Sequence, residues 1–203
     1  MKNLTLSNRT KGVLFIIMSA FGFAMMSAFV KLSGDLPSFQ KTFFRNITSC
    51  IIAFGIILVK KESFFGKLEN QKILILRSLF GTLGIVFNFY AIDKLVLSDA
   101  NMLNKLSPFF VIIFSALFLK EKINFKQGLA IIIAFIGALF IIKPQFNFDI
   151  IPSLIGVCGA ICAAAAYTYL RVLGSKEKYY TIVFYFSFFS TMVILPFMLM
   201  VYK

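Results

Sequence analysis

The chain alternates long apolar runs with short clusters of charge. Seven such runs stand out, at roughly 12–31, 43–59, 73–92, 102–119, 127–142, 151–170 and 181–201. A bilayer core takes about 20 apolar residues as helix, with a range of about 17–25, and all seven meet or approach that length. The fifth is the shortest and is almost purely aliphatic, "GLAIIIAFIGALFII". Hydrocarbon offers no partner to a backbone N–H or C=O, so each run is predicted to be an α-helix. The connections are short. The pattern therefore predicts an all-α, polytopic transmembrane bundle of about seven spans with no soluble domain.

Lys2, Arg9 and Lys11 before the first run resemble the front of a secretory leader. A leader's apolar region is only about 7–15 residues, whereas this run is longer and is followed by Lys31, so it reads as a retained span.

Composition agrees. Hydrophobic residues make up 60 % of the 203 and charged residues 14 %, with a mean hydropathy of +0.90. Soluble domains average about 45–50 % apolar and about 25 % charged. A globule of this size has no interior large enough for that apolar surface, which leaves the lipid bilayer as its main surroundings. The net charge of +13 sits in short clusters between apolar runs, not on one face, and no nucleic-acid partner is expected. Histidine is absent, which removes the commonest general base and metal ligand. Cys158 and Cys162 are one helical turn apart, but two thiols without histidine make a poor metal site. They and Cys50 read as small buried hydrophobes. No metal, cofactor or catalytic residue is expected, and no nucleophile–base spacing suggests an enzyme.

Counting Lys and Arg at alternate span ends sets the orientation. One side holds Lys2, Arg9, Lys11, Lys60, Lys61, Lys67, Lys72, Arg77, Lys120, Lys122, Lys126, Arg171, Lys176 and Lys178. The other holds Lys31, Lys41, Arg45, Lys94, Lys105, Lys143 and Lys203. The first group is twice the second, so the positive-inside rule places the N-terminus in the cytoplasm, in a multi-pass protein of the cell membrane.

Sliding the chain by about 140 residues lays span 1 on span 6 without a gap. Ala20, Ala24, Ser27 and Lys31 share one helical face, and Ala160, Ala164, Tyr167 and Arg171 repeat that spacing. Five spans separate the copies, so the second is inverted, a pattern of transporters whose solute site lies between halves near the midplane. The expected organisation is a first repeat of five helices over 1–144 and a partial second repeat of two helices over 150–203.

Polar groups inside spans are expensive and therefore candidates for function. Arg45, Arg77 and Lys105 lie near span ends, where snorkelling to the interface is the plain reading. Arg77, Gly81, Gly84, Asn88 and Ala91 form a stripe on span 3. Small residues there suit close helix packing, whereas the Asn88 amide needs a partner. Asn101, Lys105, Pro108 and Ser115 share a face of span 4. Pro108 lacks an N–H and clashes with the carbonyl of residue 104, which predicts a kink and a polar outer half. Glu121 lies between Lys120 and Lys122 as a solvated ion cluster or an inner gate contact. No Asp or Glu falls at the middle of a span.

Three stretches carry a resemblance. "FFRN" opens span 2, residues 77–144 run from "RSLFGTLGIVFNFYAIDKLVLSDANMLNKLSP" through "FLKEK" to "GALFIIKP", and "AAAAYTYLRVL" with "VFYFS" lies in spans 6 and 7. In these the chain resembles the EamA-type drug/metabolite transporter superfamily. The resemblance implies ten helices in two inverted five-helix repeats around a central cavity, with both termini inside. It implies export or import of amino acids, drugs, sugar nucleotides or other metabolites. Its recurrent positions fall here on Arg45, Asp99, Ala100, Pro108 and Glu121. Relative to that pattern this sequence stops after helix 7, as a truncated form, a fragment, or a protomer completed by another chain.

The expectation is a permease moving a small organic solute by alternating access. Its expected path is lined by Ser27, Arg45, Asn88, Tyr90, Asn101, Asn104, Lys105, Ser107, Pro108 and Tyr167. Lys31, Asp99, Glu121 and Arg171 are expected at gates or interfaces. The partners are the lipid bilayer and the solute, with a non-transporting membrane protein or partner subunit as the alternative.

Overall fold

The computed structural model describes residues 8–119, 124–142 and 149–200. All its regular structure there is helical: α1 Asn8–Leu32, α2 Ser38–Lys60, α3 Gln71–Lys94, α4 Leu97–Asn104, α5 Ser107–Leu119, α6 Phe125–Ile142, α7 Ile150–Leu173 and α8 Tyr179–Met200. A short 3-10 turn, Leu68–Asn70, leads into α3. Among the described residues six stretches are long and apolar enough to cross a membrane, with α4 and α5 counted as one; the apolar part of α6, Gly128–Gly137, is shorter. The protein is a multi-pass membrane protein. Lys120, Glu121, Lys122 and Lys143 lie outside the described residues.

The chain divides into two compact units, Met1–Gly34 and Asp35–Lys203. In the first, α1 ends where Gly34 turns to φ 62°, a left-handed conformation that glycine adopts without a β-carbon penalty. The Ser33 hydroxyl closes the last turn by donating to the Val30 carbonyl at 2.7 Å.

In the second unit α3 is the centre, packed against α7, α8 and α2, while α2 packs along α8 and α5 along α7. The α3–α7 contact runs glycine to glycine. A β-carbon on Gly84 would lie 3.1 Å from the Ala163 nitrogen, and one on Gly159 would lie 3.1 Å from the Phe87 β-carbon. Without an aqueous hydrophobic drive, helices in lipid associate by such close approach and by hydrogen bonds between them. The small residues of the α3 stripe are thus mainly packing residues.

The span expected at 102–119 is two helices. Residues 105 and 106 form a turn, and the N–H groups of Phe109 and Phe110 donate to the Leu106 carbonyl at 3.0 and 3.3 Å. Pro108 then occupies the first turn of α5, where its missing N–H leaves no bond unmade. The predicted kink is a break.

Large apolar side chains cover the outer surface, and the interior mixes apolar residues such as Ile57, Leu74 and Phe89 with polar ones. Ile51, Phe118 and Phe140 face outward, while Thr42, Asn46, Ser78, Ser187 and Ser190 are buried. Of the cysteines, Cys158 is on the outer surface of α7, contrary to the buried reading, because Gly159 and Ala160 take the inward face. All three are free thiols.

Each end of the unit is tied by polar contacts. At one end the Lys41 ammonium lies 2.5 Å from Asp93 Oδ1, and Ser38 Oγ donates to Oδ2 at 2.8 Å. At the other, Glu177 accepts from the Lys67 backbone N–H at 2.9 Å and from Asn70 Nδ2 at 2.6 Å. Tyr180 donates to Glu62 at 3.0 Å. A half-open cleft of about 420 Å³ lies between these loops, lined by Glu62, Lys67, Lys176 and Glu177 among others.

Candidate solute site

A polar seam runs between α2, α3 and α8. On α2, Asn46 is fully buried and donates from Nδ2 to Ser190 Oγ at 2.7 Å. Its Oδ1 accepts from Arg45 Nη1 at 2.8 Å. One helical turn back along α8, about 6 Å at 1.5 Å per residue, the Arg77 guanidinium of α3 stacks over Phe186, 3.9 Å from the ring centroid. Gly81 makes room for this pair: a β-carbon there would meet Phe186 at 2.9 Å and Arg77 Nη1 at 3.3 Å.

Arg77 was expected to snorkel, and it does not. Its Nε and Nη1 are buried and have no hydrogen-bond partner within the described protein. An arginine in a membrane helix is costly, by up to about 2.5–3.5 kcal/mol at the helix centre on insertion scales. A desolvated cation–π contact such as that with Phe186 returns about 2 kcal/mol. Arg45 and Arg77 are near enough for their positive charges to repel each other. Arg45 lies in the second turn or so of α2 and Arg77 in that of α3. Those helix starts are at opposite ends of the unit, so the two side chains bracket its middle.

The seam also carries hydroxyls. Thr82 and Thr191 return theirs to the carbonyls of Ser78 and Ser187, at 2.8 and 2.7 Å. Ser78 and Ser187 are fully buried, and their own hydroxyls have no partner among the described residues.

The other expected residues are spread more widely. Arg45 belongs to the seam, whereas Tyr167, on α7, is about half exposed at 47 %. Asn88 is half-buried at the α3–α7 contact, its backbone nitrogen 3.3 Å from where a Gly159 β-carbon would sit. Tyr90, Asn101 and Asn104 are half-buried, Ser107 is buried, and Lys105 and Pro108 are exposed. All but Tyr90, which is on α3, belong to α4, α5 or the break between them, apart from the seam. Asp99 is fully buried in the first turn of α4, with Ser98 Oγ 3.4 Å from Oδ1. Arg171 is exposed in the last turn of α7, at the opposite end of the unit. Ser27, within α1, donates to its own helix at the Phe23 carbonyl, 3.0 Å away. Lys31 is exposed in the same helix, and Glu121 lies outside the described residues. Among the described residues no three His, Cys, Asp or Glu gather to hold a metal.

Sequence reading missed Asn46, Ser187 and Ser190. Asn46 is the last letter of "FFRN". The α8 hydroxyls follow an S-x-x-S-T spacing that puts Ser187, Ser190 and Thr191 on one face of an otherwise aromatic helix, a signal that was available.

The comparisons agree with this architecture. The EamA-like transporter family matches residues 10–143, and the chain belongs to that family. The pseudopaline exporter CntI of Pseudomonas aeruginosa is 35 % identical over 189 residues, covering 92 % of this chain and 66 % of the exporter. Human solute carrier family 35 member G1 is 26 % identical over 188 residues, 86 % of this chain and 52 % of the carrier. A Helicobacter pylori transporter is 28 % identical over 180 residues, 87 % of this chain and 60 % of its own length. The chain thus spans from half to two thirds of these relatives. No solved structure matches it significantly.

Proposed function

We propose that the chain is a permease unit that moves a small organic solute across the cell membrane by alternating access, with its N-terminus in the cytoplasm. The buried polar seam of α2, α3 and α8 carries this reading. Asn46 and Ser190 can hold helices together, but an inward-held Arg77 whose buried nitrogens have no partner among the described residues is more than packing in lipid requires. Intramembrane polar groups of this kind line solute paths in membrane proteins. Family membership and the exporter and carrier relatives support the same reading. We place the path along the seam and toward the half-buried amides of Asn88 and Asn101, with Asp99 and Arg171 near its two ends.

Reconstitution of this chain in proteoliposomes with a panel of radiolabelled amino acids, organic acids, sugars and amines tests it. Uptake or efflux of at least one solute is expected. Asn88→Leu and Asn101→Leu are expected to lower that flux at least tenfold with normal membrane insertion. Unchanged flux in both variants would move the path elsewhere, and no flux for any solute would favour the non-transporting alternative.

A further inference from the structure

The transporter reading leaves the solute's chemistry open, and the seam narrows it. Arg77 stacks on Phe186 of α8, and Arg45 is joined through Asn46 to Ser190, one turn along the same helix. The acids are all committed or placed elsewhere. Asp93 serves Lys41 and Ser38, Glu62 serves Tyr180, and Glu177 serves Lys67 and Asn70. Asp99 belongs to α4, Asp35, Glu69 and Asp149 lie in or beside the loops, and Glu121 is outside the described residues. Two guanidinium groups thus share a low-dielectric site with no carboxylate between them among the described residues. Each repels the other, and burial strengthens that repulsion.

The donors at this site exceed its acceptors. Arg77 keeps two buried nitrogens without partners while Phe186 holds its plane in place, and Ser78 and Ser187 keep unpartnered hydroxyls. Arg45 is steadied by Asn46, which is itself tied to Ser190. The planar donor fork of arginine matches carboxylate and phosphate oxygens better than any other side chain. Resting on the transporter reading, we propose that Arg45 and Arg77 together bind an acidic group of the transported solute, a carboxylate or phosphate, beside the Phe186–Ser190 turn of α8. The anion satisfies both cations at once and gives acceptors to the surplus donors.

Thermal melting of the purified chain in neutral detergent, followed by circular dichroism at constant ionic strength, tests this with citrate and inorganic phosphate as probes. At saturating concentration at least one of these is expected to raise the midpoint by about 3 °C, with choline and glucose inert. The shift is expected to vanish in Arg77→Gln and in Arg45→Gln and to persist in Lys72→Gln, an exposed control on α3. If Arg77→Gln fails to fold, the half-buried Arg45→Gln carries the test. The same melt with added phosphatidylglycerol separates sources: stabilisation by that lipid, with no response to either soluble anion, would overturn the proposal in favour of a headgroup. No anion response of any kind, or a response that survives both substitutions, would also overturn it. Flux of neutral solutes without anion binding would sink this assignment alone. An arginine-dependent anion shift without flux of any solute would keep the site and sink the transport reading.

Discussion

Gly84→Ile is the most direct test of how closely the helices approach. A β-carbon at Gly84 would sit 3.1 Å from the Ala163 nitrogen, 3.3 Å from its Cα and 3.4 Å from the Gly159 carbonyl oxygen. All three are backbone atoms, so no side chain can swing aside. Alanine adds one methyl group and asks α3 and α7 to part by a few tenths of an ångström. Its helix propensity, about 0.8–1 kcal/mol better than glycine's, offsets part of that strain, and Gly84→Ala is expected within about 1 kcal/mol of the parent. Isoleucine adds three further carbons where there is no space. Overpacking of this kind costs about 1–3 kcal/mol, and we expect the upper end, near a hundredfold in the folded-to-unfolded ratio. The control is Gly55→Ile on α2, where an added β-carbon meets nothing within 4 Å. Unfolding by titration of sodium dodecyl sulfate into mixed micelles, followed by helicity, reads both variants. Coincident curves for the two isoleucine variants would refute the glycine-to-glycine crossing.

Two other contacts give sharp expectations. The Asn46–Ser190 hydrogen bond should appear in a double-mutant cycle of Asn46→Ala and Ser190→Ala as a coupling of about 0.6 kcal/mol, the average for bonds between membrane helices, and at most about 1.7; strictly additive losses would show that the bond contributes nothing. Asp93→Asn removes the carboxylate from a Lys41 side chain that is only 3 % exposed and should cost about 3 kcal/mol or more in the same titration. The double variant Lys41→Met/Asp93→Leu should recover most of that loss, and failure to recover would mean that the charge itself is needed there.

What the sequence revealed followed from local chemistry. Span lengths came from unbroken apolar runs, and Pro108 signalled a disturbance of span 4, read as a kink where the structure has a break at residues 105 and 106. The packing role of Gly84 followed from its place in a small-residue stripe. The seam was harder because its partners are remote: Asn46 and Ser190 are 144 positions apart, and Lys41 and Asp93 are 52 apart. A hydroxyl in a membrane helix can return to the carbonyl four residues back, as those of Thr82 and Thr191 do here, so sequence alone does not mark Ser190 as the partner of a residue on another helix. Arg77 misled for a related reason. Its distance from the start of α3 permits snorkelling, and only the Phe186 ring on another helix holds it inside.

The central claim is that the α2–α3–α8 seam is a solute path that opens in turn to each side of the membrane. Ser190, fully buried at its centre, offers the measurement. In a chain with Cys50, Cys158 and Cys162 replaced by alanine, Ser190→Cys is exposed in proteoliposomes to a membrane-impermeant methanethiosulfonate, added outside or trapped inside. Modification from both faces is predicted, with Ile51→Cys on the lipid-facing surface of α2 left unmodified. Protection of Ser190→Cys from both faces, in vesicles whose protein still moves solute, would contradict the account.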